Sequence, residues 1–205
     1  MNRAVLFLIS APSGGGKTTV CNALLAANAG LRRVVTCTTR PPRPGEVNGV
    51  DYHFYSPEEF DRRVAAGEFL EHAHVYGKSY GTRKETVLEL LNGGHDVLLN
   101  IDVQGAASVR RVVASDPVLS TALVTVFLTP RTRGELEQRL RGRGADSEEV
   151  VARRMQEASI EVARWKEFDY LVVSGTRSED SSRMQAIYDA ERLRRTRSDF
   201  EWKES

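Results

Sequence analysis

The sequence predicts an α/β protein: a P-loop three-layer fold with a parallel sheet core, a β-rich inserted lobe and a second, helical insertion. Three observations lead there. A short apolar run ends in ISAPSGGGKTTV, residues 9–20, whose glycines and Lys-Thr pair match a phosphate-binding loop, except that Ala11 stands where the consensus has its first glycine. Strand-length apolar runs then alternate with segments of helical period, the pattern of a parallel sheet with right-handed crossovers. From about residue 36 to residue 81 that rhythm breaks into short strand patterns and turn residues, as an insertion would.

In chain order, residues 4–10 are nearly continuous in apolar side chains and read as a strand covered on both faces. A helix follows over 17–27, with its positive end behind the glycines. Ser13 to Gly16 can turn successive N–H groups inward; Lys17 is placed to reach β- and γ-phosphates, and Thr18 to put its hydroxyl on Mg²⁺. Ala11 fits the strand-to-loop junction provided its φ is negative. In the insertion, strands are expected over 52–55 and 69–74, flanking a helix begun by SPEE with Ser56 as N-cap and Glu59 completing a capping box. Thr82 and Glu85 form the same signature before a helix over 83–91 that stops at Gly93-Gly94. Beyond lie a strand over 96–100, a helix over 104–114 ending before Asp116-Pro117, and a strand over 122–128. The second insertion, residue 131 to about 154, is arginine-dense, with helices expected over 131–140 and 148–168. A strand over 170–174, a helix over 181–195 and the polar tail RTRSDFEWKES complete the chain.

A chain of 205 residues with 40% hydrophobic and 28% charged residues suits one soluble core with inserted lobes. A formal net charge of +1 produces no global field that calls for nucleic acid or membrane. The N-terminal apolar run is too short to span a bilayer. Cys21 and Cys37 have no ligand-like or framework spacing, which fits a reducing, cytoplasmic setting.

Four further stretches carry chemistry. In TCTTRPPRPGEVNGVDYHFY, Arg40 and Arg43 lie three apart on a Pro-stiffened segment, with Tyr52 beyond. Two guanidinium groups and a phenol suit the grip of a small dianion; a solvated turn with spare arginines would read the same. In EFLEHAHVYGKSYGT, Glu71 sits amid apolar residues, with Tyr80 and Thr82 close behind. A half-buried carboxylate needs donors, which a guanine edge supplies through N1–H and N2–H₂, and a structural arginine would supply equally. His72 and His74 share a strand face but have no third ligand at metal-site spacing. DVLLNIDVQG ends a strand in Asn100 and Asp102, where a Walker-B-type acid stands near Mg²⁺. LEQRLRGRGADSEEVVARRM offers Arg139, Arg143 and Arg154, the first two i,i+4 neighbours that either share an anion or form a solvated basic face balanced by glutamates.

Taken together and in this order, the motifs SAPSGGGKTT, TTRPPRPGEVNGVDYHF, EFLEHAHVYGKSYGT, NIDVQGA and RLRGRGADSEEVVARRM resemble the guanylate kinase family over nearly the whole chain. The resemblance implies transfer of the γ-phosphoryl of MgATP to GMP or dGMP, with Mg²⁺ as cofactor, ATP and GMP as partners, and a place in GMP recycling. It implies a P-loop core over 1–35, 83–130 and 155–198, a GMP-binding lobe over 36–82, a mobile lid over 131–154 and a tail over 199–205. ATP would be held by Ala11, Pro12, Ser13, Gly14, Gly15, Gly16, Lys17 and Thr18. Arg40, Arg43, Tyr52 and Tyr80 match the family's GMP-phosphate ligands, and Thr36, Glu71, Thr82 and Asp102 its guanine-side contacts. Arg139, Arg143 and Arg154 match its lid and catalytic arginines, acting with Lys17; Thr18, and Asp102 directly or through water, would face the metal. Asn100 replaces the first acid of the family's usual Asp-Ile-Asp, and Ser174-Gly175 stands where an asparagine usually touches adenine. Two other readings compete. A kinase of another small phosphate ester, such as a ribose bisphosphate, would not need RPPRPGEVNG with Glu71 and Thr82. A non-catalytic phosphopeptide-binding module typically lacks the loop lysine. Whether the chain is a monomer or a homo-oligomer is left undecided by the sequence.

Overall fold

The computed structural model describes residues 3–75, 77–142, 147–198 and 202. Its core is a five-stranded sheet built from β1 (Leu6–Ser10), β2 (Leu31–Arg33), β7 (Asp96–Asn100), β8 (Leu123–Thr129) and β9 (Tyr170–Val173), in the order β2-β7-β1-β8-β9. Every pairing is parallel. Central β1 is buried throughout, which explains its unbroken apolar run. Phe7 and Ile9 pack on one face with Val20 and Leu24 of α1 (Lys17–Ala27) and Met184 and Tyr188 of α8 (Arg177–Arg192). Leu6 and Leu8 pack on the other with Val87 and Leu91 of α3 (Lys84–Asn92), Val109 and Val113 of α4 (Val103–Val113) and Leu119 of α5 (Pro117–Ala122). These are the three expected layers. From β1 the chain crosses to β2 on one side, while β8 and β9 lie on the other, so the crevice at the carboxyl end of β1 is the natural ligand site of such a sheet.

The insertion folds as a second sheet of β4 (His53–Phe54), β3 (Cys37–Thr38), β6 (Lys78–Arg83) and β5 (Phe69–Val75), in that order, with β6 antiparallel to both neighbours. Helix α2 (Pro57–Ala65) closes over it, and Phe60 stacks on Phe69 with ring centroids 4.6 Å apart. In the second insertion α6 (Arg133–Arg141) and α7 (Glu148–Ala163) join through Leu136, Leu140, Val151, Met155 and Ala158. No helix among the described residues is long and apolar enough to cross a membrane.

Several local expectations change. Thr82 does not cap a helix: it lies in β6, Arg83 is the N-cap of α3, and the Thr82 hydroxyl serves Glu71 across the sheet. Ser56 does cap α2, but the Glu59 carboxylate pairs with Arg62 and Arg63 rather than closing a box. The full capping box belongs to α8, where Thr176 and Glu179 start the helix four residues earlier than expected. Asp116-Pro117 ends one helix and begins another, because the Asp116 carboxylate accepts the Val118 and Leu119 N–H groups and proline suits the first turn. Helix α7 stops at Ala163, followed by the short 3₁₀ turn Trp165–Glu167.

Candidate active site

The phosphate-binding loop runs from the end of β1 into α1. Gly14 (φ 85) and Gly16 (φ 94) adopt left-handed backbone that other residues resist, and the Gly15 N–H donates to the Pro12 carbonyl at 2.8 Å. Ala11 is fully buried, and its Cβ lies 2.9 Å from where a side chain on Gly15 would begin. The alanine methyl therefore fills the inside of the loop. Lys17 Nζ donates to the Ala11 carbonyl at 2.6 Å, and Thr18 stands exposed in the first turn of α1. A side chain added at Gly14 would meet Leu140 of α6 at 3.0 Å, so the helical insertion sits directly on the loop.

Between the second sheet and the carboxyl end of β7 lies a cleft of about 230 Å³. Thr36, Tyr52, Glu71, Tyr80, Thr82 and Asp102 all line it, together with Asn100. Glu71 is only 7% exposed and accepts the Thr82 hydroxyl at 2.7 Å. Burial pushes its carboxyl up to about 7; the Thr82 hydrogen bond opposes that rise and the charge of Asp102 adds to it. Asp102 caps α4, one carboxylate oxygen accepting the Gly105 N–H at 2.7 Å. Arg40 lies over Tyr52 and Phe54, 5.4 and 5.8 Å from the ring centroids, and is gripped by Glu46, so it is no spare surface charge. Arg43 is exposed on the adjoining turn.

The arginines of the second insertion divide. Arg139 Nη2 donates to Ser174 Oγ at 3.1 Å, and Ser174 in turn donates to the buried Asp180 at 2.6 Å, tying α6 to the end of β9. Arg154 is half-buried on α7. Arg143 lies outside the described residues, beyond α6, which ends at Arg141 with Gly142 as its C-cap. His72 and His74 are exposed, and among the described residues no group of three His, Cys, Asp or Glu could hold a metal ion.

One residue escaped the sequence reading. Glu161 of α7 accepts the Ser13 N–H of the phosphate loop at 3.3 Å, and burial raises its carboxyl above the usual range while Lys17 draws it back. The signal for it was an acid on the inward stripe of a helix, three residues beyond buried Ala158.

A family model described as guanylate kinase matches residues 3–191. The chain belongs to the guanylate kinase family. It is 46% identical to the guanylate kinase of Sphingopyxis alaskensis over 195 residues, covering 95% of this chain and 86% of the relative. It is 48% identical to that of Nitrosococcus oceani over 192 residues, covering 94% and 91%. The crystal structure of guanylate kinase from Anaplasma phagocytophilum superposes with a TM-score of 0.73 at 30% identity, covering 96% of this chain and 90% of that one. Membership in the guanylate kinase family sets aside the ribose bisphosphate reading, and the parallel core around a phosphate loop is the fold expected for the family.

Proposed function

We propose that this member of the guanylate kinase family transfers the γ-phosphoryl of ATP to the 5′-phosphate of GMP or dGMP, giving ADP and GDP or dGDP. The observation that carries the reading is Glu71: a buried carboxylate, steadied by Thr82, at the wall of a cleft at the carboxyl end of β7. Guanine N1–H and N2–H₂ are the donors such a group lacks, and an adenine edge would present it an acceptor instead. Thr36 and Asp102 share the guanine side, while Arg40, Arg43, Tyr52 and Tyr80 grip the acceptor phosphate. The loop from Ala11 to Thr18 holds the ATP phosphates. The acceptor oxygen is already anionic at neutral pH, so no general base is required. Lys17, Arg139, Arg143 and Arg154 align the phosphates and neutralise charge as it shifts between them.

Thr18 and Asp102 are hard oxygen donors of the kind Mg²⁺ takes, and the cap on α4 leaves Asp102 a second oxygen. They would hold Mg²⁺, Asp102 directly or through water, and the ion would supply charge neutralisation at the β- and γ-phosphates. Residues 36–82 act as the GMP lobe and 131–154 as a lid that opens for release. The free, buried Cys21 and Cys37 accord with a cytoplasmic role in GMP recycling. The phosphopeptide-module reading is disfavoured by Lys17, which is present and held in the loop.

Turnover of GMP, IMP and AMP with ATP on the purified chain tests the reading. GMP should exceed AMP by about 10⁴ in kcat/KM, with IMP between because it keeps N1–H alone. Lys17→Met should nearly abolish turnover while circular dichroism stays native. AMP used as well as GMP would overturn the guanine assignment.

A further inference from the structure

The turn that carries Arg43 holds an anion of its own. Pro44 and Gly45 (φ 89) form its corner, and the Glu46 N–H donates to the Arg43 carbonyl at 3.0 Å. The Glu46 carboxylate folds back and accepts the Arg43 N–H through Oε2 at 2.6 Å. It is thereby bound to the backbone of its own turn, and cannot swing aside without losing that hydrogen bond. Arg40 stands against it: Nη1 donates to Oε2 at 2.9 Å and Nη2 to Oε1 at 2.8 Å, a bidentate pair. Nη1 also donates to the Pro41 carbonyl at 2.7 Å. The paired side chains are 15% and 19% exposed, against 62% and 33% for the surface pair Arg62–Glu59. Of the five N–H donors of a guanidinium, Nη1 has given both of its own and Nη2 one, so those remaining lie on the Nε edge.

We propose that Glu46 is a positioning residue for recognition of the acceptor phosphate: its carboxylate, fixed by the turn, holds one edge of Arg40 so that the Nε edge is presented to the nucleoside monophosphate in a single orientation. This rests on the reading of Arg40 as a phosphate ligand. Two effects of Glu46 have opposite signs. By charge alone, removing a carboxylate beside the seat of a dianion strengthens binding. Through positioning, removing it frees a rotamer-rich side chain that must be ordered again at each binding event, and binding weakens. The rigid turn and the bidentate geometry favour positioning.

The test is steady-state kinetics with GMP and then ATP varied, on wild type, Glu46→Gln, Glu46→Asp and Arg40→Ala. Glu46→Gln keeps the shape but turns an amide donor toward donors, and should raise the KM for GMP about tenfold while kcat and the KM for ATP move less than about threefold. Glu46→Asp, a shorter carboxylate, should recover part of that loss. A KM for GMP that is unchanged or lower in Glu46→Gln overturns the proposal, leaving the carboxylate a spectator or a competitor. An equal rise in the KM for ATP also overturns it, since a general lesion of the fold moves both. Should Glu46→Gln fail to fold, Glu46→Asp carries the measurement: a smaller rise in the KM for GMP, confined to GMP, supports positioning, and no rise overturns it. Arg40→Ala separates the two levels. If it leaves the KM for GMP unmoved, the phosphate assignment itself falls; if it raises that KM and Glu46→Gln does not, only the role of Glu46 falls.

Discussion

Glu71 lies 7% exposed in β5, and burial holds its carboxyl at about 7, above the ordinary 4.5. Because the folded value exceeds the unfolded one, the folded protein binds more protons between those pH values. Glu71 therefore makes the ligand-free protein progressively less stable as pH rises from about 4.5 to 7, and the loss levels off above. Glu71→Gln should raise the thermal midpoint at pH 8 and leave it nearly unchanged at pH 5. Guanine donors favour the ionised form, so GMP binding near pH 7 should release a proton, and the KM for GMP should fall as pH rises from 6 to 8. The phosphate of GMP titrates near pH 6 on either protein, so the difference between wild-type and Glu71→Gln profiles isolates this group. Superimposable profiles would remove Glu71 from the guanine site. As a carboxylate amid apolar residues on a strand pattern, Glu71 was legible in the sequence. Thr82 was misread, because Thr-x-x-Glu is a local signal, whereas its true partner is Glu71, eleven residues away across a hairpin.

At the scale of elements, α7 joins the phosphate loop to the second insertion. Val151, Arg154, Met155, Ala158 and Glu161 recur at helical spacing on its inward stripe, and Glu161 meets the Ser13 N–H. That contact sets where the helix of Arg154 sits over the loop. Glu161→Ala should therefore lower kcat about five- to tenfold, the net worth of one ordinary hydrogen bond, with the KM for GMP little changed. Glu161→Gln still accepts from Ser13 and should retain most activity. Steady-state rates of both variants check this, and a kcat for Glu161→Ala equal to wild type would remove the coupling. Long elements with clear period were legible here: α1 and β7 have the expected ends, and α7 the expected start. Strand β2, three residues with two exposed, and β3, two residues long, are too short to show a period.

Across the whole molecule, the amino end of the core sheet, opposite the site, is tied to α8 and the chain beyond it. Asp96, at the start of β7, accepts the Val5 N–H at 2.7 Å and the Tyr188 hydroxyl at 2.5 Å. Arg197, 2% exposed, reaches Glu191 and the Ala122 carbonyl, each at 3.2 Å. Arg197→Ala would strip buried Glu191 of one partner, leaving Tyr170 and Arg194. The expected loss is about 3 kcal/mol by urea unfolding, with kcat and both KM values unchanged. A loss below about 1 kcal/mol would show the tie to be dispensable. The sequence by itself determined the parallel core, the phosphate loop and the family, because period and motif spacing are properties of neighbouring residues. Only the tertiary structure decided that Thr82 serves Glu71, that Arg40 is clamped by Glu46, and that Glu161 reaches Ser13 from 148 residues away. Periodicity reports which side chains are buried; what each one is buried against is settled only when the elements dock.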